Sequence, residues 1–245
     1  IFKISMTTTD YSLLDRRVKA NPNPLKICHN DDENIYEIGI DEVGRGPLIG
    51  RVYSAAVVLP KDNSFRHDWM KDSKKFSNKE KLKLTEDYIK KHALAYAICY
   101  EDEKTIDQIN ILQATFKSMH CCIKEVIAKM NQKINCELLV DGNNFKSYII
   151  NEDDEFISIP HTCVTSGDNT YASIAAASIL AKVARDEYVE KLCDENPLLD
   201  DYYGITTNKG YGVLKHREGI KKHGISKWHR LSFGICKENV DRIWS

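Results

Sequence analysis

Four acidic residues stand at places in the sequence where they could act together on one substrate. Asp41 and Glu42 are adjacent, follow a short apolar segment and precede a glycine-rich turn at residues 44–50. Asp141 ends a second apolar segment, and Asp168 precedes an apolar helix. Adjacent residues of a regular strand point to opposite faces, so the first two acids can serve one site only where the strand ends and the backbone bends, which the glycine-rich turn permits.

Each acid also has an ordinary structural interpretation. An acid pair at a strand end is often a solvated part of a loop, and an aspartate before a helix usually caps its free N–H groups. Together, however, four acids at element ends would repel one another unless cations lay between them. Oxygen ligands without histidine or cysteine favour magnesium or manganese over zinc, and two such ions can activate water for phosphodiester cleavage.

A strongly basic segment lies near the C-terminal end of the chain. Residues 209–230 contain seven lysines and arginines and a single acid, Glu218, although the whole chain has a net charge of -1. Tyr211, Trp228 and three histidines are interleaved with these charges. Such a stretch suits a phosphate backbone with a sugar or base to stack on, and the ordinary alternative is a solvated surface helix. A second basic segment, residues 71–83, contains six lysines and two acids.

Composition limits the classes of protein to which the chain can belong. With 245 residues, of which 42% are hydrophobic, it can bury one sizeable core. The nearly neutral net charge excludes a histone-like protein but permits a local basic face. No apolar run approaches the roughly 18 residues that a membrane span needs. The eight cysteines form no Cys-x-x-Cys motif, so we expect buried free thiols in a reducing, cytoplasmic setting.

Hydrophobic periodicity predicts an α/β protein in which strands and helices alternate. Strands are expected at residues 36–40, 52–59, 93–100, 137–140 and 156–164, and helices at 78–91, 105–130 and 169–181. The sequence from Thr105 to Gln108 fits a capping box at the start of the second helix. Residues 1–34 show no periodicity, so we predict a weakly ordered extension at 1–34, a core at 35–203 and a C-terminal segment at 204–245.

Six short motifs, in the expected order, resemble those of the ribonuclease HII family. They are residues 39–48, 72–75, 106–114, 141–143, 167–182 and 209–212 with His216. The resemblance covers about residues 35–235. It implies the family's ribonuclease H-like fold, a mixed five-stranded sheet flanked by helices that forms the catalytic core, with a helical C-terminal appendage that binds substrate. It also implies an endonuclease that cuts RNA/DNA hybrids, and DNA duplexes with embedded ribonucleotides, on the 5′ side of the ribonucleotide to leave 3′-OH and 5′-phosphate ends.

The resemblance assigns roles to individual residues. The family's metal-binding carboxylates, which hold two divalent cations (magnesium or manganese), would be Asp41, Glu42, Asp141 and Asp168. The turn Gly44-Arg45-Gly46, called the GRG turn below, would recognise the ribose 2′-OH together with Tyr211; this hydroxyl distinguishes RNA from DNA. A side chain at either glycine would keep the backbone from approaching the minor groove. Lys74 and Lys182 would contact phosphates of the nucleic acid, and the chain would act as a monomer.

Three positions depart from the family pattern. Arg51 stands where proline is usual, Phe76 where leucine is common, and Ser166 where lysine is frequent. None of these changes removes an expected metal ligand. Arg51 could alter how the turn after Gly50 meets nucleic acid.

Three other functions are compatible with parts of the sequence. They are a ribonuclease H-like enzyme for branched DNA, a non-catalytic nucleic-acid-binding module, and a catalytic subunit that needs partner chains. The GRG turn with Tyr211 argues against the first, and the presence of all four acids argues against the second. The bacterial character of residues 106–114 argues against the third.

Overall fold

The structure, a computed structural model, describes residues 9–15, 24–76, 78–130, 135–152 and 154–244. Its strands are β1 Tyr36–Val43, β2 Val52–Val58, β3 Ala95–Glu101, β4 Cys136–Asp141, β5 Ile149–Glu152, β6 Glu155–Ser158, β7 His161–Val164, β8 Ile225–Ser226 and β9 Ile243–Trp244. Its helices are α1 Ser12–Asp15, α2 Lys79–His92, α3 Glu103–Lys129, α4 Ala172–Glu195, α5 Leu198–Tyr203, α6 Ile205–Asn208, α7 Leu214–His223 and α8 Gly234–Lys237. Short 3-10 turns occur at His67–Trp69, Ser73–Lys75 and Gly167–Asn169.

Five of the strands form a mixed sheet in the order β3-β2-β1-β4-β7. The pairs β1–β2 and β2–β3 are antiparallel, whereas β1–β4 and β4–β7 are parallel. The central strand β1 and its neighbour β4 therefore end at the same edge of the sheet. This architecture confirms the predicted fold class, a mixed five-stranded sheet flanked by helices.

The two long helices cover opposite faces of the sheet. α3 packs on the face that carries Ile38 and Ile40 of β1, and the apolar first turns of α4 are buried against the other face. Gly39 lies under the start of α4, where a Cβ would be 2.3 Å from the backbone carbon of Ser173. The missing side chain lets α4 approach β1 closely, directly beside Asp41.

The start of α3 differs from the predicted capping box. The cap is Asp102, whose carboxylate accepts a hydrogen bond from the N–H of Thr105 at 2.8 Å. The helix then breaks at Asn110, which has φ 66° and ψ 163° and whose side chain accepts hydrogen bonds from the N–H groups of Leu112 and Gln113. The prediction of Thr105 as the cap was wrong because a carboxylate three residues earlier takes that role.

Part of the N-terminal segment packs against the core. Within the predicted extension 1–34, the structure describes residues 9–15 and 24–34. Leu14 is buried in the cluster under α4. The backbone of Lys26 exchanges hydrogen bonds of 2.8 and 2.9 Å with Thr170 and Ala172, so this stretch lies along the segment that leads into α4.

The C-terminal segment has a small apolar core of its own. It is formed by the end of α4, α5, α6 and α7 together with residues of the loops around them. These helices confirm the predicted helical appendage. The short strands β8 and β9 also pair here, in parallel.

The cysteines agree in part with the prediction of buried free thiols. All eight cysteines are free thiols, and five of them are buried. None of the helices in the described residues is long and apolar enough to cross a membrane.

Candidate active site

The two central parallel strands bring Asp41 and Asp141 side by side. β1 and β4 pair in register up to the residue before each acid, so both carboxylates stand at the same edge of the sheet. Asp141 accepts a hydrogen bond of 2.6 Å from the N–H of Gly167, which holds the next residue, Asp168, close by. Three acids from separate segments of the chain therefore converge.

Asp168 does not cap α4. That helix begins after Tyr171 and has no side-chain cap. The Asp168 carboxylate instead accepts a hydrogen bond of 2.9 Å from the side-chain amide of Asn169, and the same amide donates to Asp72 at 3.3 Å. The capping interpretation of Asp168 was therefore wrong, and Asp72 is a further acid near the site that sequence analysis did not select.

Glu42 completes the group from the end of β1. The strand continues one residue beyond it, so the backbone bends at Gly44, with φ 94°, rather than within the acid pair. Glu42 Oε1 lies 3.4 Å from Nη1 of Arg45. The carboxylates of both Asp41 and Glu42 nevertheless interact with Asp141.

Burial and mutual repulsion both act on these carboxylates. Burial raises the pKa of Asp41 well above its usual range, and the Glu42 and Asp141 carboxylates raise it further. Burial also raises the pKa of Glu42. Burial, followed by the charges of Asp72 and Asp141, raises the pKa of Asp168. Acids that resist ionisation in this way are stabilised in their charged form by a cation, and oxygen donors without histidine or cysteine suit magnesium or manganese.

The two candidate phosphate-binding lysines have different surroundings. Burial lowers the pKa of Lys74, but the carboxylates of Asp72 and Asp168 outweigh this effect and raise it. Lys182 lies on α4 and forms an ion pair with Asp186 on the same helix. Lys74 is therefore beside the acids, whereas Lys182 is engaged along its own helix.

The GRG turn follows β1 directly and stands beside Tyr211. A Cβ on Gly46 would lie 3.3 Å from ring atom Cε1 of Tyr211, so the aromatic ring packs against this glycine. Gly44 has a positive φ, and a Cβ there would lie 2.3 Å from Nε of the buried Arg185. Gly44 is thus required by its surroundings, whereas a Cβ at Gly46 would press on the ring of Tyr211. The structure brings the predicted sugar-recognising residues together.

The basic segment 209–230 is only partly a solvated face. Three of its lysine, arginine and histidine side chains are fully buried: His216, His229 and Arg230. Lys221 and Lys222 remain exposed, whereas Arg230 donates hydrogen bonds to backbone carbonyl oxygens. Counting charges therefore overestimated the basic face. Sequence analysis missed the role of Arg230, for which the apolar neighbours Trp228 and Leu231 were the only signal.

Comparison with known proteins identifies the family. The family model described as Ribonuclease HII matches residues 38–236. Ribonuclease HII of Bacteroides thetaiotaomicron is 42% identical over 204 residues, which are 83% of this chain and 92% of that protein. Ribonuclease HII of Cytophaga hutchinsonii is 41% identical over 209 residues, which are 85% of this chain and 94% of that protein.

Solved structures share the fold at low sequence identity. Ribonuclease H2 from Pyrococcus horikoshii OT3 matches with a TM-score of 0.63 and 21% identity over 85% of this chain and 98% of that chain. Bst-RNase HIII in complex with Mn2+ matches with a TM-score of 0.62 and 20% identity over 85% of this chain and 70% of that chain. These likenesses confirm the ribonuclease H-like fold. The family model and the relatives go further, and they show that the chain belongs to the ribonuclease HII family and is a ribonuclease H of that type.

Proposed function

We propose that the protein is a metal-dependent endonuclease that cuts on the 5′ side of ribonucleotides in DNA duplexes or RNA/DNA hybrids and leaves 3′-OH and 5′-phosphate ends. The observation that carries this proposal is the position of the GRG turn. It begins where β1 ends, directly after Asp41 and Glu42 and against Tyr211. A nucleic-acid strand that places a sugar on the turn would therefore place a neighbouring phosphate at the carboxylates.

The proposed metal ligands are Asp41, Glu42, Asp141 and Asp168. Two divalent cations, magnesium or manganese, would offset the burial and the mutual repulsion that raise the pKa of three of these acids. When bound, such ions activate a water molecule and stabilise the leaving oxygen. Bst-RNase HIII, which shares the fold, is described in complex with Mn2+.

The proposed sugar contacts are the GRG turn and Tyr211. Gly46 presents bare backbone, which a sugar edge can approach without meeting a side chain. Tyr211 is 46% exposed, so its ring is free to pack on a sugar and its hydroxyl can bond to a 2′-OH. Recognition of this hydroxyl is what distinguishes the proposed enzyme from a general nuclease.

The proposed phosphate contacts differ in kind. Lys74 is near enough to the acids to hold a phosphate at the site of cleavage. Lys182 would have to exchange its ion pair with Asp186 for a phosphate. The exposed Lys221 and Lys222 would hold the backbone farther along the duplex, and we propose that a single chain is sufficient for all these contacts.

Cleavage of defined duplexes tests the proposal. The substrates are a DNA duplex with one ribonucleotide, the same duplex without it, and a long RNA/DNA hybrid, each with magnesium, with manganese and with chelator. We expect cleavage of the two ribose-containing substrates only with metal, and mass spectrometry should find 3′-OH and 5′-phosphate ends. Equal cleavage of the all-DNA duplex, or activity in chelator, would contradict the proposal.

A further inference from the structure

Two consecutive buried residues, His229 and Arg230, connect the C-terminal segment to the GRG turn and to Tyr211. His229 is 1% exposed and Arg230 is 0% exposed. His229 forms an isolated antiparallel bridge with Ile49, and the two adjacent side chains contact different partners. The Arg230 side chain contacts the GRG turn, and the His229 side chain is linked to Tyr211 through one further residue.

Arg230 binds the loop that contains the GRG turn through its carbonyl oxygens. Its guanidinium donates hydrogen bonds to four of them: Gly44 O at 2.6 Å, Arg45 O at 2.9 Å, Pro47 O at 2.8 Å and Gly50 O at 2.8 Å. Among the described residues no carboxylate forms an ion pair with this cation; the four carbonyl oxygens accept its hydrogen bonds, and the charges of Glu103 and Asp107 act on it without contact. Burial of a charge where an apolar side chain could pack lowers the stability of the fold. Its presence here indicates that a fixed loop geometry serves the function of the protein.

The same contacts direct the N–H groups of the turn outward. In a planar trans peptide, the C=O and the N–H point in opposite directions. The carbonyl oxygens of Gly44 and Arg45 face Arg230, so the N–H groups of Arg45 and Gly46 face away from it. Neither N–H donates to an acceptor in the described residues. Arg230 thus holds the turn so that two free donors point away from the guanidinium, while the ring of Tyr211 packs at Gly46.

His229 reaches Tyr211 through a second histidine. The N–H of Ser226 donates to Nδ1 of His229 at 2.9 Å, so a neutral His229 carries its proton on Nε2. That atom lies 2.9 Å from Nε2 of His216 and donates to it. His216 then carries its proton on Nδ1, which donates to the carbonyl oxygen of Tyr211 at 3.1 Å.

We propose that His229 and Arg230, called the clamp below, are positioning residues that fix the GRG turn and Tyr211 relative to each other and thereby set how strongly the enzyme distinguishes ribose from deoxyribose. This inference rests on the proposed function. It predicts that damage to the clamp affects recognition of the sugar more than binding of nucleic acid in general. The clamp touches neither the sugar nor the carboxylates.

The test of Arg230 compares Arg230→Ala and Arg230→Lys with Arg242→Ala as the matched control. Arg242 also donates to backbone carbonyl oxygens, those of Lys221 at 2.9 Å and Lys222 at 3.1 Å, but not to the GRG turn. Two quantities are measured in full-length protein below its melting transition. They are the rate on a single-ribonucleotide duplex with magnesium, and the ratio of affinities for that duplex and an all-DNA duplex in chelator.

We expect Arg230→Ala to lose about 100-fold in rate, the effect of a displacement of about 1 Å at a reacting group, and to lose most of the affinity ratio. Arg230→Lys should behave similarly, since an ammonium lacks the planar fork that reaches four carbonyl oxygens. Millimolar methylguanidinium should restore the ratio in Arg230→Ala, and methylammonium should not. Arg242→Ala should keep the wild-type ratio.

The test of His229 uses its dependence on Tyr211. His229→Asn should lower the affinity ratio in the wild-type background but not in the Tyr211→Ala background, because His229 acts through Tyr211. If His229 had a merely structural role, His229→Asn would lower the affinity ratio equally in both backgrounds. That additivity would overturn the inference for His229. An unchanged ratio in folded Arg230→Ala, or an equal loss in Arg242→Ala, would overturn it for Arg230. If the wild type itself showed no ribose preference, both the proposed function and this inference would fail.

Discussion

The four clustered acids and the clamp both contain buried charged or titratable side chains, but the charges are stabilised in opposite ways in the two regions. Among the acids, burial and neighbouring carboxylates raise the pKa of Asp41 and Asp168, so the protein alone does not favour their ionised forms. In the clamp, burial lowers the pKa of Arg230 to about 9, yet four carbonyl oxygens accept its hydrogen bonds. In the proposed function the acids therefore take a cation from outside, whereas the hydrogen bonds of the clamp are satisfied within the protein. This difference separates a binding site from the support that shapes it.

Removal of one carboxylate should have the largest effect on the cleavage rate, because it removes a proposed ligand of the metal ions. Asp141→Asn should lower cleavage of a single-ribonucleotide duplex by at least about 10³-fold, since a catalytic cation contributes several kcal/mol. The melting temperature of the metal-free variant should stay the same or rise, because a repulsive charge is gone. Asp201→Asn, at an exposed acid of α5, is the control and should match wild type. Wild-type turnover by Asp141→Asn would remove Asp141 from the site.

Substitution of Tyr211 should have an intermediate effect, because it changes the residue that the clamp positions. Tyr211→Phe should lose about 0.5–1.5 kcal/mol of preference for ribose, the value of one hydrogen bond. Tyr211→Ala should lose about 1–3 kcal/mol more, because the stacking surface is also removed. The ratio of affinities for a single-ribonucleotide duplex and an all-DNA duplex, measured in chelator, gives both values. Tyr100 is equally exposed, at 46%, so Tyr100→Ala is the control; an equal loss there would show that the effect is not specific.

The buried histidines His216 and His229 should make the protein less stable in mild acid, although their hydrogen bonds are satisfied at neutral pH. Burial lowers the pKa of His216 from 6.5 to about 4 and that of His229 to about 3. Between about pH 4 and 6.5 the unfolded chain binds more protons than the folded protein, so the free energy of unfolding falls as the pH falls, by up to about 1.36 kcal/mol per pH unit for each histidine.

Thermal melts across this pH range measure the effect. His229→Asn should flatten the dependence of the melting temperature on pH, because one of the two protons is no longer taken up on unfolding. His223→Asn should keep the wild-type slope, since His223 lies outside the buried pair and its ring stacks on Tyr202. Identical slopes in wild type and His229→Asn would show that the buried imidazoles do not control acid stability.

Substitution of exposed lysines should have the smallest effect on activity, because these side chains belong neither to the four acids nor to the clamp. Replacing Lys221 and Lys222 by alanine should reduce the slope of log affinity against log salt by about 1 per lysine, without changing which bond is cut. Lys124→Ala, on the exposed side of α3, should leave the slope unchanged. If the double variant kept the wild-type slope, the duplex would lie along another surface.

Sequence predicted where the acids lie in the fold better than it predicted their hydrogen-bond partners. Asp41 and Asp141 were predictable because hydrophobic strands end at both, and parallel strands of an α/β sheet present such residues at one edge. The capping alternative for Asp168 failed because Asn169, rather than the start of α4, provides its partner. Local patterns do not specify which distant amide meets a carboxylate.

The basic segment shows the opposite limit. Charge counting treated Arg230 as part of a basic stretch that meets a phosphate backbone, whereas its partners lie about 180 residues earlier in the chain. Such long-range contacts between a side chain and backbone carbonyl oxygens leave no periodic signal in the sequence. The same holds for His216 and His229, whose pairing depends on how α7 packs against the following loop.

The central claim is that one edge of the sheet combines cleavage with recognition of the 2′-OH. The most direct test is single-turnover cleavage, by the wild-type protein with magnesium, of three duplexes that differ only in one 2′ substituent: hydroxyl, hydrogen or O-methyl. We expect cleavage of the hydroxyl duplex alone, at the phosphodiester on the 5′ side of the ribonucleotide. Deoxyribose lacks the hydroxyl that would meet the GRG turn and Tyr211. The O-methyl group adds bulk beside Gly46. Equal rates on the hydroxyl and hydrogen duplexes would contradict the central claim.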